Sequence, residues 1–274
     1  MSWIFSNLLN FLISKGRRPK YYVSICAIQK DENDYLEEWI RFHLKIGIDH
    51  FFIYDNGSKI SPSLILREYT NKGVVTIINY PGDSKQNEAY LHCIKRNKYL
   101  SKWIACIDID EYIVPKIPKG DLKGFLKDFE HYGGFGMNWL IFGSNGHKFK
   151  TKKSQLESFV MRSYEDFPVN KHIKSIVQPK FVIDVNSPHH FKFVMGKKCV
   201  NENFEIIEGP FSEHSSKKIQ LNHYYCRSEE EYLEKISRGY ADHIGERLIS
   251  QYEAHNKDAN YVQDDYAFRL YNNR

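Results

Sequence analysis

The chain has 274 residues, 42% hydrophobic and 27% charged, enough for one large or two small domains with a proper core and ordinary for a globular protein. Its net charge of +5 is spread among interspersed acids and bases, without the basic face or stripe that nucleic-acid binders use. Five scattered cysteines (Cys26, Cys93, Cys106, Cys199 and Cys226) include no Cys-x-x-Cys pair, which argues against a disulfide framework or zinc site and predicts reduced thiols in a cytoplasmic chain.

Residues 2–13 are amphipathic at helical spacing and are followed by Lys15, Arg17, Arg18 and Lys20. The stretch is too short to span a bilayer, and it lacks the cleavage site and charge order of a signal peptide. Trp3 and Phe5 beside a basic cluster suit the cytoplasmic face of an anionic membrane; a helix packed on the domain is the other reading. Residues 1–20 are therefore set apart, and the chain is expected to sit peripherally on the inner face of the cytoplasmic membrane.

From Tyr21 the pattern alternates. Residues 21–28 read as an apolar strand. Asp34 and Glu37 suggest a capping box for a helix that places Leu36, Trp39, Ile40, His43 and Leu44 on one face and stops at Gly47. Residues 50–54 form a second strand ending in Asp55-Asn-Gly-Ser58, and Ser61-Pro62 opens a second helix as N-cap and first helical position. Residues 74–79 give a third strand, residues 84–100 a third helix, and residues 103–109 a fourth strand. Strands apolar on both faces, alternating with helices, predict a mostly parallel α/β sheet covered by helices.

The second half is less regular. Residues 133–142 read as a strand running into Phe142-Gly-Ser-Asn-Gly-His147, with further strands at 174–177, 181–185 and 219–225 and a helix at 229–239. The chain past Ala241 is charged and expected to be helical on the surface. No repeat or linker interrupts the chain, so residues 21–265 are expected to form one domain, followed by a C-terminal tail at 266–274.

Ligands of such sheets bind at the carboxyl ends of the strands. There the fourth strand ends in Asp108-Ile-Asp110-Glu111. In an extended strand Asp108 and Asp110 share a face, and two adjacent carboxylates repel unless a cation lies between them. Hard oxygen ligands suit Mg²⁺ or Mn²⁺, which usually complete their shells with substrate phosphates; acids merely solvated at a strand end are the alternative. A metal and a nucleoside diphosphate leaving group are thus expected, helped by a basic side chain such as Lys174 or Lys171. His223, at the end of a late strand, is a candidate third ligand that tilts the choice toward Mn²⁺. A general base must also take a proton from the acceptor hydroxyl. Glu165 and Asp166 are the first candidates and His147 the second, while Trp139 and Phe142 are candidates for stacking on a sugar.

These residues, taken in order, resemble a known family. The resemblance rests on Lys30-Asp-Glu-Asn33, Glu38-Trp-Ile40, Phe42-His43, Gly47-Ile-Asp-His50, Tyr54-Asp-Asn-Gly-Ser58, Gln86 with Ala89-Tyr90, Trp103 and Asp108-Ile-Asp-Glu-Tyr-Ile113. It continues through Trp139 with Phe142-Gly-Ser-Asn-Gly-His147, Lys174-Ser-Ile-Val177, Asn222-His-Tyr-Tyr225, Arg227-Ser228, Glu231, Lys235 and Arg238-Gly239. The pattern, over about residues 21–265, is similar to bacterial family-2-like glycosyltransferases related to glycosyltransferase family 92. The resemblance implies a GT-A type fold and inverting transfer of a hexose, commonly galactose or glucose, from a UDP-sugar to a glycan or glycolipid acceptor. Asp108 and Asp110 would hold the metal and diphosphate, with His223 as additional ligand. The nucleotide-sugar site would comprise Lys30, Glu32, Asp55, Asn56, Gln86, Asp108 and Lys174. Cys226 departs from relatives that often carry Thr there. Many relatives build surface polysaccharide or lipopolysaccharide cores. The rival readings are an Asp-nucleophile phosphatase, whose motif ordinarily sits on the first strand, and a non-catalytic nucleotide- or glycan-binding protein.

Overall fold

A computed structural model describes residues 18–272, so the amphipathic stretch at residues 2–13 lies outside the described residues. The expected alternation is present: β1 (Tyr21–Gln29), α1 (Asn33–Lys45), β2 (His50–Asp55), two short helices α2 (Pro62–Ile65) and α3 (Arg67–Asn71), β3 (Val75–Asn79), α4 (Gln86–Arg96) and β4 (Ser101–Cys106). β1 pairs in parallel with β2 and β4, and β2 pairs in parallel with β3. Alternate residues of β1 feed two separate cores. Val23, Ile25 and Ala27 pack with Leu36, Trp39 and Ile40 of α1, whereas Cys26 and Ile28 pack with Ala89, Tyr90 and Cys93 of α4. Helices on both faces explain why the strand is apolar throughout.

The remaining elements are β5 (Glu111–Pro115), α5 (Leu122–Lys127), β6 (Gly134–Ile141), α6 (Gln155–Ser158), β7 (Met161–Arg162), β8 (Ile173–Val177), the hairpin β9 (Val182–Ser187) with β10 (His190–Phe193), β11 (Cys199–Val200), β12 (Ile206–Ile207) and β13 (Ile219–His223). They are followed by α7 (Glu229–Arg238), α8 (Ile249–Asp258), β14 (Val262–Gln263) and α9 (Tyr266–Asn272). The second half completes the same ten-stranded sheet, in the order β12-β11-β6-β8-β4-β1-β2-β3, with β13 joining β6 to β5. β8 enters antiparallel between β4 and β6 and carries Lys174 to the carboxyl end of β4.

Several expectations change. α1 starts at Asn33 with no side-chain cap, because Asp34 is drawn to Lys150 and Glu37 faces Arg41; the capping box is absent. Ser61 does cap, accepting from the Ser63 amide at 3.3 Å. Gly47 follows the end of α1 with φ of +100°, a conformation that favours glycine. β4 stops at Cys106, so Asp108, Ile109 and Asp110 lie in a turn and not on a strand. The Glu111 amide donates to the Asp108 carbonyl at 3.1 Å, reversing the chain into β5. Residues 266–272 are helical as expected of this tail and form α9, but the helix does not stay at the surface: Ala267 is buried in the main core, with Tyr266, Phe268 and Leu270 packed against it. All five cysteines are free and buried. Among the described residues, no helix is long and apolar enough to cross a membrane.

Two α1 side chains brace the turn. Trp39 Nε1 donates to the Glu111 carbonyl at 2.7 Å, and His43 Nε2 accepts from the Ile113 amide at 3.2 Å. Burial pulls the His43 imidazole down to about 3, which keeps it neutral and able to accept.

Candidate active site

A cleft of about 500 Å³ opens at the carboxyl ends of β1 and β4. One end is formed by Gln29, Lys30, Glu32 and Asn56, the floor by Asp108, Asp110 and Lys174, and the far wall by Trp139, His172, His189, His223, Tyr225 and Lys235. The turn separates the two aspartates and hands each to a different cation. Lys174 Nζ donates to Asp108 Oδ2 at 2.9 Å, while Gln86 Nε2 at 2.5 Å and the Tyr90 hydroxyl at 3.1 Å donate to Asp108 Oδ1. Lys235 Nζ, from α7, donates to Asp110 Oδ2 at 2.6 Å, and His223 Nε2 lies 3.5 Å from the same oxygen.

The charges follow from burial working against partners. Burial raises the Asp108 carboxyl, but the Lys174 ammonium outweighs it and the net shift is downward. Asp110 is likewise raised by burial, yet Lys235 and then His223 hold it well below the usual carboxylate range. Burial lowers Lys174, but Asp108 and Glu111 reverse this and keep it firmly protonated. Burial lowers the His223 imidazole against the pull of Asp110.

Glu111, fully buried, accepts from Trp139 Nε1 at 2.5 Å and from the Asp108 amide at 2.9 Å. Burial pushes its carboxyl up to about 8, against the lowering influence of Lys174. An acid whose folded value is raised keeps a proton that the unfolded chain has released. Its contribution to stability is therefore complete below about 4.5 and is lost as pH rises toward about 8. Urea midpoints at pH 5 and pH 8 are expected to show this loss, at a slope of at most about 1.4 kcal/mol per pH unit, and Glu111→Gln is expected to flatten it. An identical pH slope in the variant would remove Glu111 as its source.

The expected site residues divide into two groups. Lys30, Glu32, Asn56, Gln86, Asp108, Asp110, Lys174 and His223 all line the cleft. Asp55 stands behind it, accepting from the Ser58 amide at 3.0 Å and so shaping the loop beside Asn56. Lys171 is at the surface, paired with Glu213 at 2.7 Å. Glu165 and Asp166 are exposed and do not line the cleft; Glu165 is engaged with Arg162 at 2.8 Å. His147 also lies off the cleft, packed edge-on against Phe159, with its carbonyl accepting from the Glu229 amide at the start of α7. Phe142 is buried against Tyr224, so only Trp139 of the two aromatic candidates reaches the cleft, and His172 already stacks on it.

Lys235 and Arg227 escaped the residue-by-residue reading. Lys235 follows the buried Tyr232 by three positions, which puts a lysine on the inward face of an amphipathic helix, and that was the available signal. Arg227 holds Glu32 at 3.3 Å and Gln155 at 2.6 Å, from a backbone with φ of +49°, a conformation uncommon outside glycine.

Comparison with known proteins bears on this arrangement. The glycosyltransferase family 92 protein RCOM_0530710 of Ricinus communis is 25% identical over 238 residues, covering 84% of this chain and 40% of the relative. The beta-1,4-galactosyltransferase galt-1 of Caenorhabditis elegans is 22% identical over 248 residues, covering 84% of this chain and 54% of the relative. The chain thus spans about half the length of these relatives, or less. A structure of residues 1–349 of S. aureus TarS in complex with UDP superposes with a TM-score of 0.39 at 15% identity, covering 58% of this chain and 47% of that one. Residues 20–255 match the family described as glycosyltransferase family 92, and with most of its length in that match the chain belongs to glycosyltransferase family 92.

Proposed function

We propose that the protein transfers a hexose, galactose or glucose, from a UDP-sugar to a hydroxyl of a glycan or glycolipid acceptor, with inversion at the anomeric carbon. The observation that carries this reading is the arrangement at the turn, where two carboxylates and two lysines meet at the carboxyl end of a parallel strand, on the floor of a cleft. Glu32, Lys30 and Asn56 are assigned to the nucleoside, and Lys174 to the diphosphate. Family membership and the galactosyltransferase name of the C. elegans relative support the choice of chemistry. The acceptor is placed among surface polysaccharides or lipopolysaccharides on the strength of the amphipathic, basic N-terminal sequence, which suits a cytoplasmic enzyme held at an anionic membrane.

Mn²⁺ or Mg²⁺ is part of the proposal. Two carboxylates and an imidazole are chemically apt donors for Mn²⁺, and His223 Nδ1 is buried with no hydrogen-bond partner among the described residues. No group of three or more His, Cys, Asp or Glu residues is already arranged to hold a metal among the described residues; Lys174 and Lys235 hold the aspartates. Cation binding through Asp110 Oδ2, the oxygen nearest His223, would exchange Lys235 for the metal. When bound, the cation would neutralise charge on the departing diphosphate.

Thermal denaturation with UDP, with and without Mn²⁺, tests this reading on the wild type and on Asp110→Ala. A ligand that binds only the folded state raises stability by mass action, so a Mn²⁺-dependent UDP shift in the wild type, absent in the variant, is expected. No UDP shift under any metal condition would overturn the donor assignment.

A further inference from the structure

The cleft offers few groups able to take a proton from an acceptor hydroxyl. Its four carboxylates are all engaged: Glu32 by Arg227 at 3.3 Å, Asp108 by Lys174 at 2.9 Å, Asp110 by Lys235 at 2.6 Å and Asp242 by His243 Nδ1 at 2.8 Å. The other class of base present is imidazole, supplied by His172, His189, His223, His243 and His255, and His172 is the one set two residues before Lys174 on the approach to β8. It lies in extended conformation, one residue before β8. The two side chains therefore share a face, about 7 Å apart along the strand, with Lys174 at the diphosphate end. Its ring stacks on Trp139, with centroids 4.7 Å apart and planes at 22°. Nδ1 lies 3.0 Å from the Val169 carbonyl oxygen. A carbonyl can only accept, so Nδ1 carries the hydrogen and Nε2 keeps its lone pair. No hydrogen bond engages Nε2 among the described residues.

We propose that His172 is the general base of the transfer, its Nε2 taking the proton of the acceptor hydroxyl. As that proton leaves, the acceptor oxygen forms its bond to the anomeric carbon. The bond from that carbon to the diphosphate oxygen breaks, and its electron pair departs with UDP. The imidazolium so formed rests on the electron-rich face of Trp139, which favours a cation, and returns its proton to water once the product has gone. The competing imidazoles are His255, whose Nδ1 is tied to the Gln251 carbonyl at 2.7 Å and whose ring stacks on Tyr225, and His189, 5.6 Å from His172 between ring centroids. The His189 Nδ1 is likewise tied to a carbonyl, that of Ile173 at 2.7 Å; burial and Lys174 lower both imidazoles, His189 to about 3.

This inference rests on the glycosyltransferase reading, and the experiment separates the two. UDP-galactose and UDP-glucose are supplied with a galacto-oligosaccharide, and UDP release is followed for the wild type, His172→Gln, His189→Gln and Asp166→Asn. His172→Gln is expected to lower kcat by about 100-fold or more, to leave KM for the donor and the UDP-dependent thermal shift near wild type, and to regain part of its rate on addition of imidazole. If the Gln variant fails to fold, His172→Phe, which preserves the stack on Trp139, takes its place. A kcat within about fivefold of wild type, or a loss confined to His189→Gln or Asp166→Asn, would overturn the assignment. A wild-type chain that releases UDP from neither donor, with or without the oligosaccharide, and shows no UDP-dependent thermal shift overturns the transferase reading itself, before any variant is compared.

Discussion

Lys174→Met is expected to cost the fold about 3–5 kcal/mol and to take sugar transfer below detection. The Lys174 side chain is 1% exposed, and its ammonium lies 2.9 Å from Asp108 and 3.8 Å from Glu111. Truncation leaves both carboxylates without their common counter-charge. Glu111 can relieve its part by holding its proton, because burial already pushes it up to about 8. Asp108 loses the ammonium that holds its carboxyl down against burial, and the Gln86 and Tyr90 donors supply dipoles but no charge. Pairing the change with Asp108→Asn removes the uncompensated carboxylate, so the double variant is expected to recover most of the stability and none of the turnover. Urea unfolding of the two single variants and the double variant, as a cycle, measures this directly. A loss under about 1 kcal/mol for Lys174→Met would mean that the amide and hydroxyl donors suffice.

Lys235→Ala is expected to tighten Mn²⁺ binding in the absence of nucleotide by about tenfold to a hundredfold. The ammonium contact to Asp110, at 2.6 Å, has to be given up before a metal can use that oxygen. A hydrogen bond to a charged group contributes about 1.5–3 kcal/mol, and each 1.4 kcal/mol is about a factor of ten in affinity. The variant should also be less stable than wild type without metal, because Asp110 loses its nearest counter-charge. That deficit should shrink when Mn²⁺ is added. Calorimetric titration of Mn²⁺ and melting with and without the ion give independent readings. If Mn²⁺ affinity is unchanged while UDP affinity falls, Lys235 contacts the diphosphate and is not a stand-in for the metal.

Much of this was legible along the chain because it depends on neighbours. Strands buried on both faces and the helices between them follow from short-range apolar patterning, and the parallel sheet places its ligand cleft at the strand ends. Asp108 and Asp110 could thus be placed at the cleft from the sequence, Gln86 and Asn56 came with the family resemblance, and Lys174 followed as a basic residue near a strand start. The turn chemistry after β4 was not legible. An apolar run that ends in Asp-Ile-Asp reads equally as strand or turn, and the choice is made by β5 pairing with β13, more than a hundred residues later.

Local spacing along the chain settled the layered α/β architecture, the position of the cleft and the acidic pair at its floor. Which groups answer those acids was settled by long-range packing. Lys174 is 66 residues from Asp108, and Lys235 is 125 from Asp110. Glu165, Asp166 and His147 were set outside the cleft, while His172, beside them in the chain, was turned into it. The physical reason is that secondary structure follows from the spacing of side chains within a few residues. The partner of a buried charge is instead set by which distant segments the core brings together, and each buried charge needs such a partner to be stable.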